Sequence, residues 1–198
     1  MSVANAKARA RGIIFSSEGF IAHFYLDTVS QVTVGYGTML PNAASTASIE
    51  MLVARTQKIA TAKEKADEWQ AIRALSAAGS ANNLTAQAFQ RHASLIMLRG
   101  EAERLFDLKL NGFLTMLRAN YPGFDKFPED AQVAMLDMAY NLGNRIHTVF
   151  RNFTRAVNQR GGPDWVAVAK QSNRPQLSAQ RNREVYDLFI GASKVTKP

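Results

Sequence analysis

The chain contains no cysteine. That excludes disulfides, thiolate metal sites and a cysteine nucleophile, and leaves stability to the hydrophobic core wherever the protein works. Histidine is almost as scarce: His23, His92 and His147 are the only ones, and no two stand at a metal-ligand spacing such as His-x-x-x-His. No metal and no cofactor is therefore expected. Glycine and proline number 12 and 6, which excludes collagen-like and low-complexity readings. No glycine-rich phosphate loop is present; Gly161 and Gly162 stand before Pro163 and read as a helix boundary. No apolar run approaches the roughly 18 residues of a membrane span, so no membrane insertion is expected. At the N-terminus the apolar patch covers only residues 12–15, whereas a secretory signal needs about 7 to 15 apolar residues. The expectation is synthesis in the cytoplasm without a signal peptide.

What remains is the composition of an ordinary folded domain: 198 residues, 46% hydrophobic and 20% charged. The formal net charge of +8 favours an anionic partner. Nucleic acid, acidic lipid and an acidic cell-wall polymer all qualify, and charge does not choose among them.

Residues 2–18 read as a helix rich in Ala and Arg, stopped by Gly19. Residues 24–37 change character: Tyr25, Val29, Val32, Val34 and Tyr36 are β-formers, and this is the one strand region the pattern supports. Pro41-Asn42 ends it. Residues 46–78 read as one long helix or two in tandem, with Ile49, Leu52, Val53 and Ile59 on a stripe that Trp69, Ile72 and Leu75 resume. The charged stretch 63–68 between them reads as a solvated face. After a loop at 77–83, helices are expected at 84–98, 101–119, 129–142, 146–159, 163–171 and 178–190. Met135 and Met138 read as core. Trp69 and Trp165 suit either burial or stacking on sugars. The fold class expected is α+β, mostly α: a single domain of 1–198 with a small β-hairpin lobe (12–45), a connecting helical region (46–83) and a helical lobe (84–198) on which helix 2–18 packs. A cleft between such lobes suits an extended ligand.

Three residues could carry chemistry. Glu18 ends a helix beside Ile14, Phe15 and Phe20, where the helix dipole and apolar neighbours disfavour a charged carboxylate. Such a glutamic acid keeps its proton longer, as a general acid must. Asp27 lies beside Thr28 and Ser30 in polar company and is expected to stay ionised. Two carboxyls in contrasting surroundings meet the requirement of glycoside hydrolysis. With the hairpin turn centred on Ser30, Asp27 pairs across from Thr33, and a carboxylate and a hydroxyl at cross-strand separation can hold one water. Gly35 and Gly37 share the Thr33 face by parity and leave room for a bulky substrate.

The segment EGFIAHFYLDTVSQVTVGYG (18–37) resembles the catalytic motif of the phage-type lysozymes, glycoside hydrolase family 24: Glu, eight residues, Asp, five residues, Thr, then a V-G-Y-G-like strand. AMLDMAYNLG (134–143) is similar to that family's core helix and its cleft-lining turn. AQRNREVYDLF (179–189) is similar to its arginine-bearing C-terminal helix, and EAERLF (101–106) agrees more weakly. The resemblance implies a lysozyme-like fold and hydrolysis of the β-1,4 bond between N-acetylmuramic acid and N-acetylglucosamine in peptidoglycan. It implies that Glu18 is the general acid, that Asp27 with Thr33 holds the attacking water, that the anomeric configuration inverts, and that Asn141 and Arg181 meet the substrate side. Two departures stand out. Thr38 occupies a position where the family often has His, and the chain between Thr38 and Glu101 is longer than in compact relatives.

The partner implied is peptidoglycan, with bacteriolytic, antimicrobial action in the periplasm or at the cell wall, and no nucleic acid is expected. A phage endolysin released through a holin, an effector delivered by a secretion machine with an immunity protein, and a phage structural lysozyme all fit a chain without an export signal. Two other readings stay open: a lytic transglycosylase on the same polymer, and a non-enzymatic basic helical protein that binds wall or nucleic acid.

Overall fold

The computed structural model describes residues 3–77 and 84–195. The architecture is α+β and mostly α, and the chain divides into two compact units. Residues 18–108 form one; residues 1–17 and 109–198 form the other. Among the described residues no helix is long and apolar enough to cross a membrane.

Helix α1 (Val3–Glu18) ends where Gly19 takes φ +64, a backbone region open mainly to glycine. The contiguous unit then opens with β1 (Ile21–Leu26), β2 (Val32–Gly35) and β3 (Thr38–Met39), an antiparallel sheet in that order. β2 is buried on both faces. Hence Val32 and Val34 are fully enclosed, and Thr33, whose parity opposes theirs, is only 3% exposed.

Residues 46–61 are not α-helical. Asn42 caps a short 3-10 turn at Ala43–Ser48, and the chain then runs extended through β4 (Leu52–Val53). Of the expected stripe only Ile49 is buried; Leu52 and Val53 are both half-buried and Ile59 is 68% exposed, so no helical face forms here. Helix α2 (Ala62–Ala77) begins only there and packs on β1, β2 and the 3-10 turn, so it covers the sheet rather than connecting lobes. The expected loop at 77–83 lies outside the described residues from 78 on. The expected helix 84–98 is a 3-10 turn at Ala86–His92 followed by β5 (Leu95–Ile96), which pairs antiparallel with β4 in a second small sheet. Two-residue strands carry too little periodicity to announce themselves.

The stretch 63–68 is a solvated face only in part: Lys63, Glu64 and Asp67 are exposed, but Lys65 and Glu68 are not. Lys65 and Glu68 are each 7% exposed. Lys65 Nζ donates to the carbonyls of Ile49 at 2.7 Å and Ala47 at 3.3 Å, and Glu68 accepts from Ser94 and Leu95. Both charges end backbone groups that no ladder reaches.

Helix α3 (Arg99–Asn120) contains the division between the units. Beyond it come α4 (Glu129–Leu142), α5 (Ile146–Val149), α6 (Arg151–Val157), α7 (Trp165–Lys170) and α8 (Ala179–Val195). The expected helix 146–159 breaks at Phe150, whose φ −98 and ψ 61 are not helical. Of its stripe, Ile146, Phe153 and Val157 are buried while Val149 is 59% exposed. Aromatic rings from α6, α7, α8 and the loop before α4 build this core: Trp165 stacks on Phe189 at 6.1 Å, and Phe127 and Phe153 meet these two edge-on.

Helix α4 is buried on every side from Ala131 to Tyr140, the mark of a central helix. One of those positions is Asp137. Its Oδ2 accepts from Arg174 Nη1 at 2.8 Å and its Oδ1 from Arg181 Nη2 at 2.9 Å, with Asp137 and Arg174 sealed from solvent. Removing one member of a buried ion pair leaves uncompensated charge. Asp137→Asn is therefore expected to cost about 3–5 kcal/mol of stability, read from urea denaturation; a loss below about 1 kcal/mol, the level of a surface pair, would show that the arrangement is not what fixes α4.

Candidate functional site

The hairpin between β1 and β2 gathers two of the expected catalytic residues, by a route other than the one expected. Tyr25 pairs with Thr33 and Leu26 with Val32, so the turn is centred on Val29 and not on Ser30. Asp27 is thus not the cross-strand partner of Thr33. Its backbone N–H donates to the Gln31 carbonyl at 3.0 Å, leaving Thr28, Val29 and Ser30 as a three-residue loop. Such loops combine a type I turn with a last residue in the left-handed region, and Ser30 has φ 60.

The Asp27 side chain closes this loop. Its Oδ1 accepts from Val29 N at 3.0 Å and Gln31 N at 2.8 Å. Its Oδ2 lies 3.4 Å from Thr33 Oγ1, whose proton is also within reach of the Gln31 carbonyl at 3.2 Å. One hydroxyl proton faces two acceptors at long distances, so neither bond is saturated. The carboxylate is half-buried and diagonal to Thr33 on one face of the hairpin.

Glu18 is the last residue of α1, and its side chain lies outside the described residues. The expectation for Gly35 is corrected: with φ +67, its missing Cβ would stand 3.1 Å from Ala102 Cβ and 3.3 Å from Met97 Sδ. The glycine admits helix α3, not a ligand. Gly37 lies in the turn from β2 to β3. Tyr36, in the same turn, is buried, its ring 5.5 Å from Phe20, and its hydroxyl accepts from Arg99 Nη1 at 2.6 Å. Trp69 is half-buried and its Nε1 donates to the Leu40 carbonyl at 2.9 Å, whereas Trp165 is buried.

Asn141 and Arg181 belong to the other compact unit. Asn141 donates to the Asp137 carbonyl at 3.3 Å, and Arg181 is the second cation on the Asp137 carboxylate. Sequence reasoning missed both Asp137 and Arg174. The available signal was a lone acid inside the apolar run of α4, which cannot be buried without a cation. It missed Arg73 as well, whose Nη1 donates to the Ser30 carbonyl at 2.7 Å.

Among the described carboxyls of residues 18–108, Glu64 and Glu101 are held below the ordinary range by hydrogen bonds from Thr61 and Arg104, whereas Glu68 is pushed up. Burial pushes it up, against hydrogen bonds from Ser94 and Leu95 and the charge of His23 that pull it down. A scan against protein-family models and a search of curated proteins each return no match for this chain.

A carboxyl raised in the folded state binds its proton more tightly there than in the unfolded chain. Its stabilising contribution is complete below the ordinary glutamate range and is lost as pH rises through the raised folded value. Glu68→Gln is expected to flatten the pH dependence of the melting temperature across that window. An unchanged slope would exclude Glu68 as its source.

Proposed function

We propose that this chain is a peptidoglycan muramidase with a lysozyme-like fold, cleaving the β-1,4 bond from N-acetylmuramic acid to N-acetylglucosamine. The observation that carries the reading is the hairpin pair: an Asp27 carboxylate anchored through Oδ1, with Oδ2 and the Thr33 hydroxyl left 3.4 Å apart on one face. The motif spacing from Glu18 through Thr33 supports the same reading.

In this mechanism Glu18 gives its proton to the glycosidic oxygen as the bond from that oxygen to the anomeric carbon breaks. A water held between Asp27 Oδ2 and Thr33 Oγ1 attacks the anomeric carbon from the opposite face, and Asp27 takes its proton. The product is a reducing end of inverted configuration. Such sites keep their carboxyls about 6.5–9.5 Å apart to admit the water. The substrate is the wall of bacteria, reached through a holin or a secretion machine, with an immunity protein as the natural guard in the second case.

Digestion of purified peptidoglycan tests the reading. Wild type is expected to release fragments with reducing muramic ends, their first-formed anomer inverted by NMR. Glu18→Gln and Asp27→Asn, with unchanged circular dichroism, are expected to lose at least about a hundredfold in rate. Digestion by Glu18→Gln at the wild-type rate would end the assignment of the acid. Anhydro-muramic ends would replace hydrolysis by transglycosylation. Duplex binding that weakens steeply with salt, with no digestion at all, would favour the nucleic-acid reading.

A further inference from the structure

We propose that Arg73 is a positioning residue for the Asp27 carboxylate, an inference that rests on the muramidase reading above. The hairpin loop places Ser30 in the left-handed region, φ 60, a conformation that residues with a side chain rarely adopt and that glycine usually supplies in such loops. Something must hold it there. From inside, the Asp27 carboxylate holds the N–H groups of Val29 and Gln31. From outside, Arg73 Nη1 holds the Ser30 carbonyl at 2.7 Å. The two grips bear on the same peptide: Ser30 C=O and Gln31 N–H are its two ends.

Arg73 can act as a clamp because its helix is fixed beside the turn end of β2, where the Leu40 N–H donates to the Val32 carbonyl at 2.8 Å. Trp69 Nε1, one turn earlier on α2, donates to the Leu40 carbonyl at 2.9 Å, and Lys65 Nζ, one turn before that, donates to the Ile49 carbonyl at 2.7 Å. These three long side chains stand at intervals of four along α2, so each reaches the same side of the helix. Release of the Ser30 carbonyl frees that peptide to rotate toward a right-handed conformation. The rotation withdraws the Gln31 N–H from Asp27 Oδ1 and unfixes Oδ2 relative to Thr33. The guanidinium is exposed and lines a groove of about 440 Å³ with Trp69, Gln70 and Ser76, so a small solute can reach its place.

The test compares Arg73→Ala, Arg73→Lys and, as a control on the same helix, Lys63→Ala. The first readout is amide exchange by NMR, which needs no activity. Arg73→Ala is expected to speed exchange of Val29 and Gln31 by about tenfold or more, with other amides of β1 and β2 unchanged. The second is kinetics on soluble peptidoglycan fragments: kcat is expected to fall roughly ten- to hundredfold, with KM within about twofold. Arg73→Lys and added guanidinium ion should each restore part of kcat, and Lys63→Ala should leave both readouts at wild type. Unchanged exchange at Val29 and Gln31 overturns the proposal, as does faster exchange throughout the unit, which marks a merely structural role. Selective exchange in a protein whose wild type digests no peptidoglycan instead defeats the muramidase reading and leaves the clamp standing.

Discussion

Two backbone N–H groups on one carboxylate oxygen organise the β1–β2 hairpin of this protein. Val29 and Gln31 both donate to Asp27 Oδ1. The same two bonds close the hairpin loop and immobilise an acid that would otherwise rotate about its side-chain torsions. Turn formation and site formation are thus one event. Much of the surrounding unit serves that event: β2 is buried on both faces, Gly35 lets α3 approach to contact distance, and α2 lies across the sheet with its polar side chains on hairpin and loop carbonyls. A carboxylate used this way gives up conformational freedom before a substrate arrives, which lowers what binding must later supply.

The second unit solves a different problem, a helix enclosed on all sides that carries an acid. Asp137 brings a negative charge into an apolar run, and Arg174 and Arg181 arrive from the loop before α8 and from α8 itself to meet it. Arg174 is fully enclosed, and desolvation pulls its pKa down while Asp137 pulls it up. The two bonds tie α4 to α8 and to the loop before it, and losing either partner would leave buried charge uncompensated.

The long helices were legible in the sequence. α4 falls where apolar spacing and the breaks at Pro128 and Gly143 put it, and α3 covers the expected 101–119 but starts at Arg99, with Gly100 inside it and no break there. The segment 43–61 was not, because 3-10 turns and two-residue strands lack a repeat that can be counted. Lys65 and Glu68 were misread because charge in a helix usually means water, and only the fold supplies the carbonyls and N–H groups that bury them. In the site, the company of Asp27 and Thr33 was legible from spacing, but their relation was not. Moving the turn centre from Ser30 to Val29 turns a cross-strand pair into a diagonal one, and a side chain that bonds its own turn leaves no trace in strand parity. Gly35 was legible as a place where bulk is forbidden, but not as to what needs the space.

The unit that carries the hairpin is one uninterrupted stretch, residues 18–108, whereas its companion joins residues 1–17 to residues 109–198. A chain emerging from the ribosome can finish the first before most of the second exists. Helix α1 must meanwhile wait, since Lys7 bonds Asn111 and Arg9 bonds Glu129 and Asp130, all made far later. Loop-closure entropy makes such distant pairings slow. The turn at Asp27 thus draws only on near neighbours in the chain, whereas α1 is held by residues more than a hundred positions away.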